Sequence, residues 1–138
     1  MLPSGLPEAV ASEEDIARFL TSRGHFNSVM VKPAAFMPAA DHKKYVCRHG
    51  RAPEDDLRRF AAMYLPPGTN VYGAGVCKAD DARALRLDVV AEEPPARHAN
   101  IIGWPIYQVD SDLQKAAEKE IAGILASRCG APLLFPKQ

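Results

Sequence analysis

The stretch PPARHANIIGWP, Pro94 to Pro105, gathers an arginine, a histidine, an asparagine and the only tryptophan into twelve positions. Read as a strand, it sets His98, Asn100 and Ile102 on one face and Ala99, Ile101 and Gly103 on the other, so the polar groups point the same way. An imidazole there can act as acid or base. Arg97 or Asn100 can orient a polar or phosphorylated substrate, and Trp104 offers a stacking wall. The simpler alternative is a short strand with a hydrated polar face and Trp104 capping the core.

A second cluster is DHKKYVCRHGR, Asp41 to Arg51. Asp41, His42, Cys47 and His49 are metal-ligand types, yet no second pair at ligand spacing completes a zinc set, and His25 and His98 stand alone. Cys47 with His49 has the composition of a nucleophile and its base, but two positions along one strand is an awkward path for a proton. Lys43, Lys44, Arg48 and Arg51 around Tyr45 form a small basic patch of the kind that holds RNA or DNA. Glu54, Asp55 and Asp56 follow at once and cancel much of its field.

Elsewhere the signals are weaker. Gly73-Ala74-Gly75 follows a plausible strand, but Lys78 stands where the third glycine of a dinucleotide fingerprint belongs, which favours a bulge or a close contact instead. No G-x-S-x-G or G-x-x-x-x-G-K occurs. The apolar segment VMVKPAAFMP carries Pro33 and Pro38 and is expected to be an edge strand or extended arm, with Lys32 facing solvent beside a potential ligand or partner chain.

These residues need a scaffold, and composition predicts an ordinary one. The 138 residues suit one domain, 47% hydrophobic and 25% charged, and 17 basic against 17 acidic side chains leave no overall field for nucleic acid or anionic lipid. The first residues lack the charged and apolar regions of a secretory signal, and no run of apolar residues is long enough to span a bilayer. Three cysteines at unrelated spacings suit a reducing compartment. A cytoplasmic location is expected.

Along the chain, residues 1–11 are expected to be a loose leader and residues 12–138 the domain. Ser12 followed by Glu13, Glu14 and Asp15 predicts a helix start, with Ile16, Phe19 and Leu20 on one face and Gly24 as the stop. Lys43 to His49 alternates as a strand. After a turn at Gly50, Pro53 and three acids open a helix with Leu57, Phe60, Ala61 and Tyr64 as its apolar stripe. NVYGAGVCKA predicts a strand, DDARAL a short helix, LRLDVVAE and HANII two more strands. Asp110 or Ser111 caps the longest helix, lined by Leu113, Ala116, Ala117, Ile121, Ile124 and Leu125. The apolar tail PLLFP is expected to be pinned to the body. The sum is an α+β fold: a small mixed or antiparallel sheet of about four strands, with two to three main helices packed on one face. Trp104-Pro105 is a bond that could adopt either isomer.

HF, VKPAAFMP and PPARHANIIGWP, in that order, together with the helix beginning near Gln114, resemble a family of small bacterial proteins over about residues 16 to 130. The resemblance implies a bacterial cytosolic protein and carries over no activity, cofactor or partner. Where such relatives read serine, valine, aromatic, arginine, this chain has Val46-Cys47-Arg48, a departure that argues against a special role for Cys47.

Every ionisable cluster thus has a structural explanation. The leading expectation is a non-catalytic binding or accessory module, without a cofactor or metal. It would meet a protein partner or a second copy of itself through the arm at Val31 to Met37 and the strand at Arg97 to Trp104. The alternatives are a hydrolase or transferase using His98 with Arg97, Asn100 and Trp104, and an RNA- or DNA-binding protein.

Overall fold

The computed structural model describes residues 1–49, 52–107 and 110–136; the expected turn at Gly50, and Arg51 of the basic patch, lie outside them. The fold is α+β. One antiparallel sheet of six strands runs in the order β4-β5-β2-β1-β3-β6, with β1 Asp15–Leu20, β2 Lys44–Arg48, β3 Gly73–Lys78, β4 Asp88–Ala91, β5 His98–Ile102 and β6 Leu133–Leu134. Among the described residues three α-helices, α1 Glu54–Tyr64, α2 Ala79–Arg83 and α3 Ser111–Arg128, and two 3-10 turns, Arg23–His25 and Pro33–Phe36, complete it. Among the described residues no helix is long and apolar enough to cross a membrane.

The strand count exceeds the expected four by β1 and β6, and β1 is the larger departure. Ser12 caps no helix: residues 15–20 form an interior strand paired with β3 along its whole length and with β2 at its start. Apolar residues at 16, 17, 19 and 20 fit a helix face and equally fit a strand covered on both sides. Ile16 and Leu20 enter one core layer and Ala17 and Phe19 the other. The acids that looked like a helix start instead pair across the sheet, Glu14 with Arg48 and Asp15 with Lys78.

Helices cover both faces rather than one. On the first, α2, α3 and the Pro33–Phe36 turn pack over Ile16, Leu20, Val46, Cys77, Val89, Ala99 and Ile101. On the second, α1 contributes Leu57 and Ala61 over Ala17, Phe19, Cys47 and Ala74. The expected stripe of α1 is realised, whereas that of α3 is rotated. Ala122, Leu125 and Ala126 are buried, while Leu113 is 52% exposed and Ala116 also faces solvent.

The arm is not an edge strand. Val31 makes a single bridge with Phe26, then Pro33 opens the 3-10 turn, and Val31, Ala35 and Phe36 are buried in the first core layer. Lys32 is half-buried, and its amide donates to the His25 carbonyl at 2.8 Å, joining the two 3-10 turns. The leader is tied down as well: Val10 is buried, Ser4 hydrogen-bonds Glu93, and Arg48 reaches the carbonyls of Pro7 and Ala9. The tail pairs with β3 as β6, where a Cβ on Gly73 would collide with the Leu133 carbonyl, so close strand approach accounts for that glycine. The cis prolyl bonds are Glu93-Pro94 and Pro94-Pro95, not Trp104-Pro105.

Candidate functional site

The β1–β2 ladder is short. After Ile16↔Arg48 and Ala17↔Cys47 the pairing stops, although β1 continues against β3 to Leu20↔Gly73 and β2 continues against β5 to Lys44↔Ile101. In the cleft beyond the last pair lies a cavity of about 200 Å³. Its walls are Arg18 and Phe19 from β1, Tyr45 and Val46 from β2, Met63, Tyr64 and Leu65 from the end of α1, Pro95, and His98 from β5. Strand alternation sends Arg18 and Val46 to one face of the sheet and Phe19, Tyr45 and His98 to the other, so the cleft is open to groups from both.

His98 is 7% exposed, its ring 5.1 Å from that of Tyr45 and 5.4 Å, edge-on, from that of Tyr64. Its Nδ1 lies 2.9 Å from the Glu92 carbonyl. A carbonyl only accepts, so in the neutral ring the proton sits on Nδ1 and Nε2 carries the lone pair. The Tyr64 hydroxyl donates to the Ala96 carbonyl and lies 3.5 Å from the Cys47 sulfur. Burial pushes the Tyr64 phenol well above its usual range and the Cys47 thiol up to about 11, so Cys47 is no thiolate nucleophile at neutral pH.

The other residues singled out with His98 are occupied elsewhere. The Arg97 guanidinium donates to the carbonyls of Arg48 and His49 and lies over the Phe60 ring. Asn100 shares the His98 face as expected but is 1% exposed; its amide nitrogen donates to the Glu92 carboxylate, while Oδ1 has no partner among the described residues. Trp104 is a core residue whose indole N–H donates to the Ile101 carbonyl. Lys32 does not line the cavity.

The second cluster is dispersed. His42 Nδ1 lies 3.8 Å from the Glu118 carboxylate of α3 while Cys47 lies under α1, and among the described residues no three metal-ligating side chains converge. The basic patch loses Arg48, which is 1% exposed and doubly bonded to Glu14.

Sequence reasoning missed Arg18 and Phe19, because both sat in the segment expected to be helical. On a strand covered on both faces, an arginine flanked by IA and FL is a buried charge needing an explanation. Its Nε donates to the Ala35 carbonyl at 2.8 Å, and burial holds its guanidinium down to about 10. Lys44, on the same face of β2, is brought to about 8 by burial and then by the Arg18 charge. His25 is also held low, by burial and then by Arg18 and Lys44. Among the described residues none of the three has a carboxylate within ion-pair distance.

The Lys44 value has a consequence for stability. At pH 7 the ammonium is charged in the folded and unfolded chain alike, and only the folded chain bears the burial and repulsion. Between about 8 and the ordinary 10.5 the folded chain has released a proton that the unfolded chain still holds, so this group makes stability rise with pH. Lys44→Met should therefore melt above the wild type at pH 7. Differential scanning calorimetry should show the gap closing as pH approaches 10.5, and a constant gap would count against the depressed value.

Three other cavities, of about 320, 380 and 460 Å³, are larger but carry less chemistry. Arg58, common to the first two, already donates to the Pro136 carbonyl and lies over the Phe135 ring. The third is an apolar shelf of Pro33, Ala34, Met37 and Pro38 edged by Lys115, Glu118 and Lys119. No known protein family, curated protein or solved structure matches the chain.

Proposed function

We propose that this protein is a non-catalytic binding module for a small ligand with one aromatic or planar ring, seated in the cleft between β1 and β2. The observation that carries this is the break in the β1–β2 ladder, which places Phe19, Tyr45, Tyr64 and His98 around a common cavity beside a charged Arg18. The volume, about 200 Å³, is below that of sites for drug-sized ligands and not far above an apolar cavity that holds one benzene, which favours a single ring. With Nδ1–H donating to the Glu92 carbonyl, a neutral ring at His98 would present Nε2 as an acceptor, and the two tyrosines supply faces and edges for stacking.

Binding is preferred to catalysis because the donors grouped with His98 in the sequence are engaged by protein groups: the Arg97 guanidinium, the Asn100 amide nitrogen and the Trp104 indole N–H. A small ligand is preferred to a protein partner because much of the expected contact surface, including Val31, Ala35, Phe36, Ala99 and Ile101, is buried in the core.

Titration with phenol or benzamide, followed by amide shifts, tests this. Saturable shifts are expected at Phe19, Val46, Leu65 and His98. Tyr45→Ala, at a half-exposed position, should weaken binding about tenfold, as expected for a lost ring contact and its area. If no single-ring compound produces a saturable shift at those four amides, the cleft is not a ligand site.

A further inference from the structure

We infer that Arg18, Lys44 and His25 form an oxyanion subsite at the charged end of this cleft, and that the ligand carries a phosphoryl or carboxylate group there. The inference rests on the cleft being a ligand site and adds the chemical class of what binds.

Several observations bring the three cations together. Arg18 and Lys44 lie on neighbouring strands and share a sheet face: Arg18 alternates with Ile16 and Leu20, Lys44 with Val46 and Arg48, and Ile16 is paired with Arg48. The short ladder leaves Arg18 and Lys44 on the two sides of the opening. His25 ends the first 3-10 turn, its carbonyl accepts from the Lys32 amide, and three residues on Ala35 accepts from Arg18 Nε, so that turn packs over the same face. All three side chains are half-buried; beyond burial, the Arg18 charge depresses Lys44, and Arg18 and Lys44 together depress His25.

Partly buried cations are ordinarily neutralised by carboxylates, as the chain does elsewhere with Arg48 and Glu14 and with Arg83 and Asp88. Here no such partner stands within reach among the described residues. An arrangement that raises the energy of the empty protein is relieved by an oxyanion, which would favour the charged forms of Lys44 and His25. The donors also suit an oxyanion. Arg18, held in place by its Nε bond, keeps two terminal nitrogens for a bidentate contact, and Lys44 adds a point charge. His25 accepts from the Thr21 amide at Nδ1, so in the neutral ring Nε2 is the donor.

Arg18 belongs to both the cation cluster and the aromatic cavity, so one ligand can occupy the two. A monocyclic compound with one anionic substituent has the required shape: ring against the Tyr45 and His98 side of the cavity, oxyanion on Arg18.

The test is titration of the full chain with inorganic phosphate, malonate and phenyl phosphate, each against sodium chloride at matched ionic strength, read by amide shifts and melting temperature. Saturable shifts at Arg18, His25 and Lys44 and a raised melting temperature are expected for phosphate or malonate. Whichever binds more tightly identifies the head group as phosphoryl or carboxylate. Lys44→Met, a variant expected to be more stable than the wild type, should lose at least tenfold in anion affinity while still binding phenol. Effects no larger than those of chloride, or undiminished anion affinity in Lys44→Met, would overturn the subsite. Phenyl phosphate binding at least tenfold tighter than phosphate supports one ligand spanning both parts. Equal affinities with phosphate still saturating would retain the anion site and reject the aromatic cleft, so the two ideas fail separately.

Discussion

Replacing Arg48 by alanine is expected to destabilise the protein by about 3–5 kcal/mol, the range for breaking a buried ion pair by removing one partner. Arg48 is 1% exposed, and two of its nitrogens hold the Glu14 carboxylate at 2.6 and 2.9 Å. A third donates to the Pro7 carbonyl at 2.6 Å. Alanine leaves Glu14 largely buried and unpaired and frees the leader from its main anchor. Urea denaturation should show a lowered midpoint, and hydrogen exchange should quicken along residues 4–10 before the rest of the chain. The double variant Arg48→Met/Glu14→Leu should recover much of the loss, since the penalty comes from the orphaned charge rather than from missing attraction. A loss below about 1 kcal/mol would mean that the pair behaves as a surface salt bridge.

This arginine also shows where sequence reasoning ran out. In KKYVCRH it looked like one more basic residue of a surface patch, because alternation assigns a face but not what lies over that face. Its partner, Glu14, sat in a run of acids that suited a helix start, and each misassignment hid the other. Local signals of type and period located β2 to β5 and all three α-helices well, since each has its own caps or alternation. They failed at β1, where coverage on both faces replaced alternation with a nearly continuous apolar run. They failed again at residues 33–36, where two prolines argued correctly against a central strand but did not reveal a buried turn.

The site was legible only in part. The shared face of His98 and Asn100 followed from strand period, and the core alternative for Trp104 was open from the start. The cleft itself could not be foreseen, because it arises from a ladder that stops after two pairs, a property of register between strands distant in sequence. Arg18 and Lys44 become neighbours only through that register. Arg18, in IARFL, is a charge set among apolar residues, a pattern to examine whenever a strand is suspected, whereas Lys44 follows Lys43 and carries no such mark.

Phe36→Ala is expected to cost about 3–5 kcal/mol, the range for removing a buried phenylalanine ring. Phe36 is fully buried within the first core layer, in the turn that packs against α3. Were residues 31–37 an exposed arm, the same substitution would change stability by no more than about 0.5 kcal/mol. Thermal or urea unfolding separates these outcomes. The variant has a functional readout too, because the neighbouring Ala35 carbonyl is the acceptor that holds Arg18 Nε. A cavity under the turn should loosen that carbonyl and cost Arg18 its fixed orientation. Phosphate affinity should then fall under conditions where circular dichroism shows the variant still folded, whereas phenol binding, which depends on Tyr45, Tyr64 and His98, should change less. Equal losses for both ligands would place the damage in the whole cleft rather than in the Arg18 anchor.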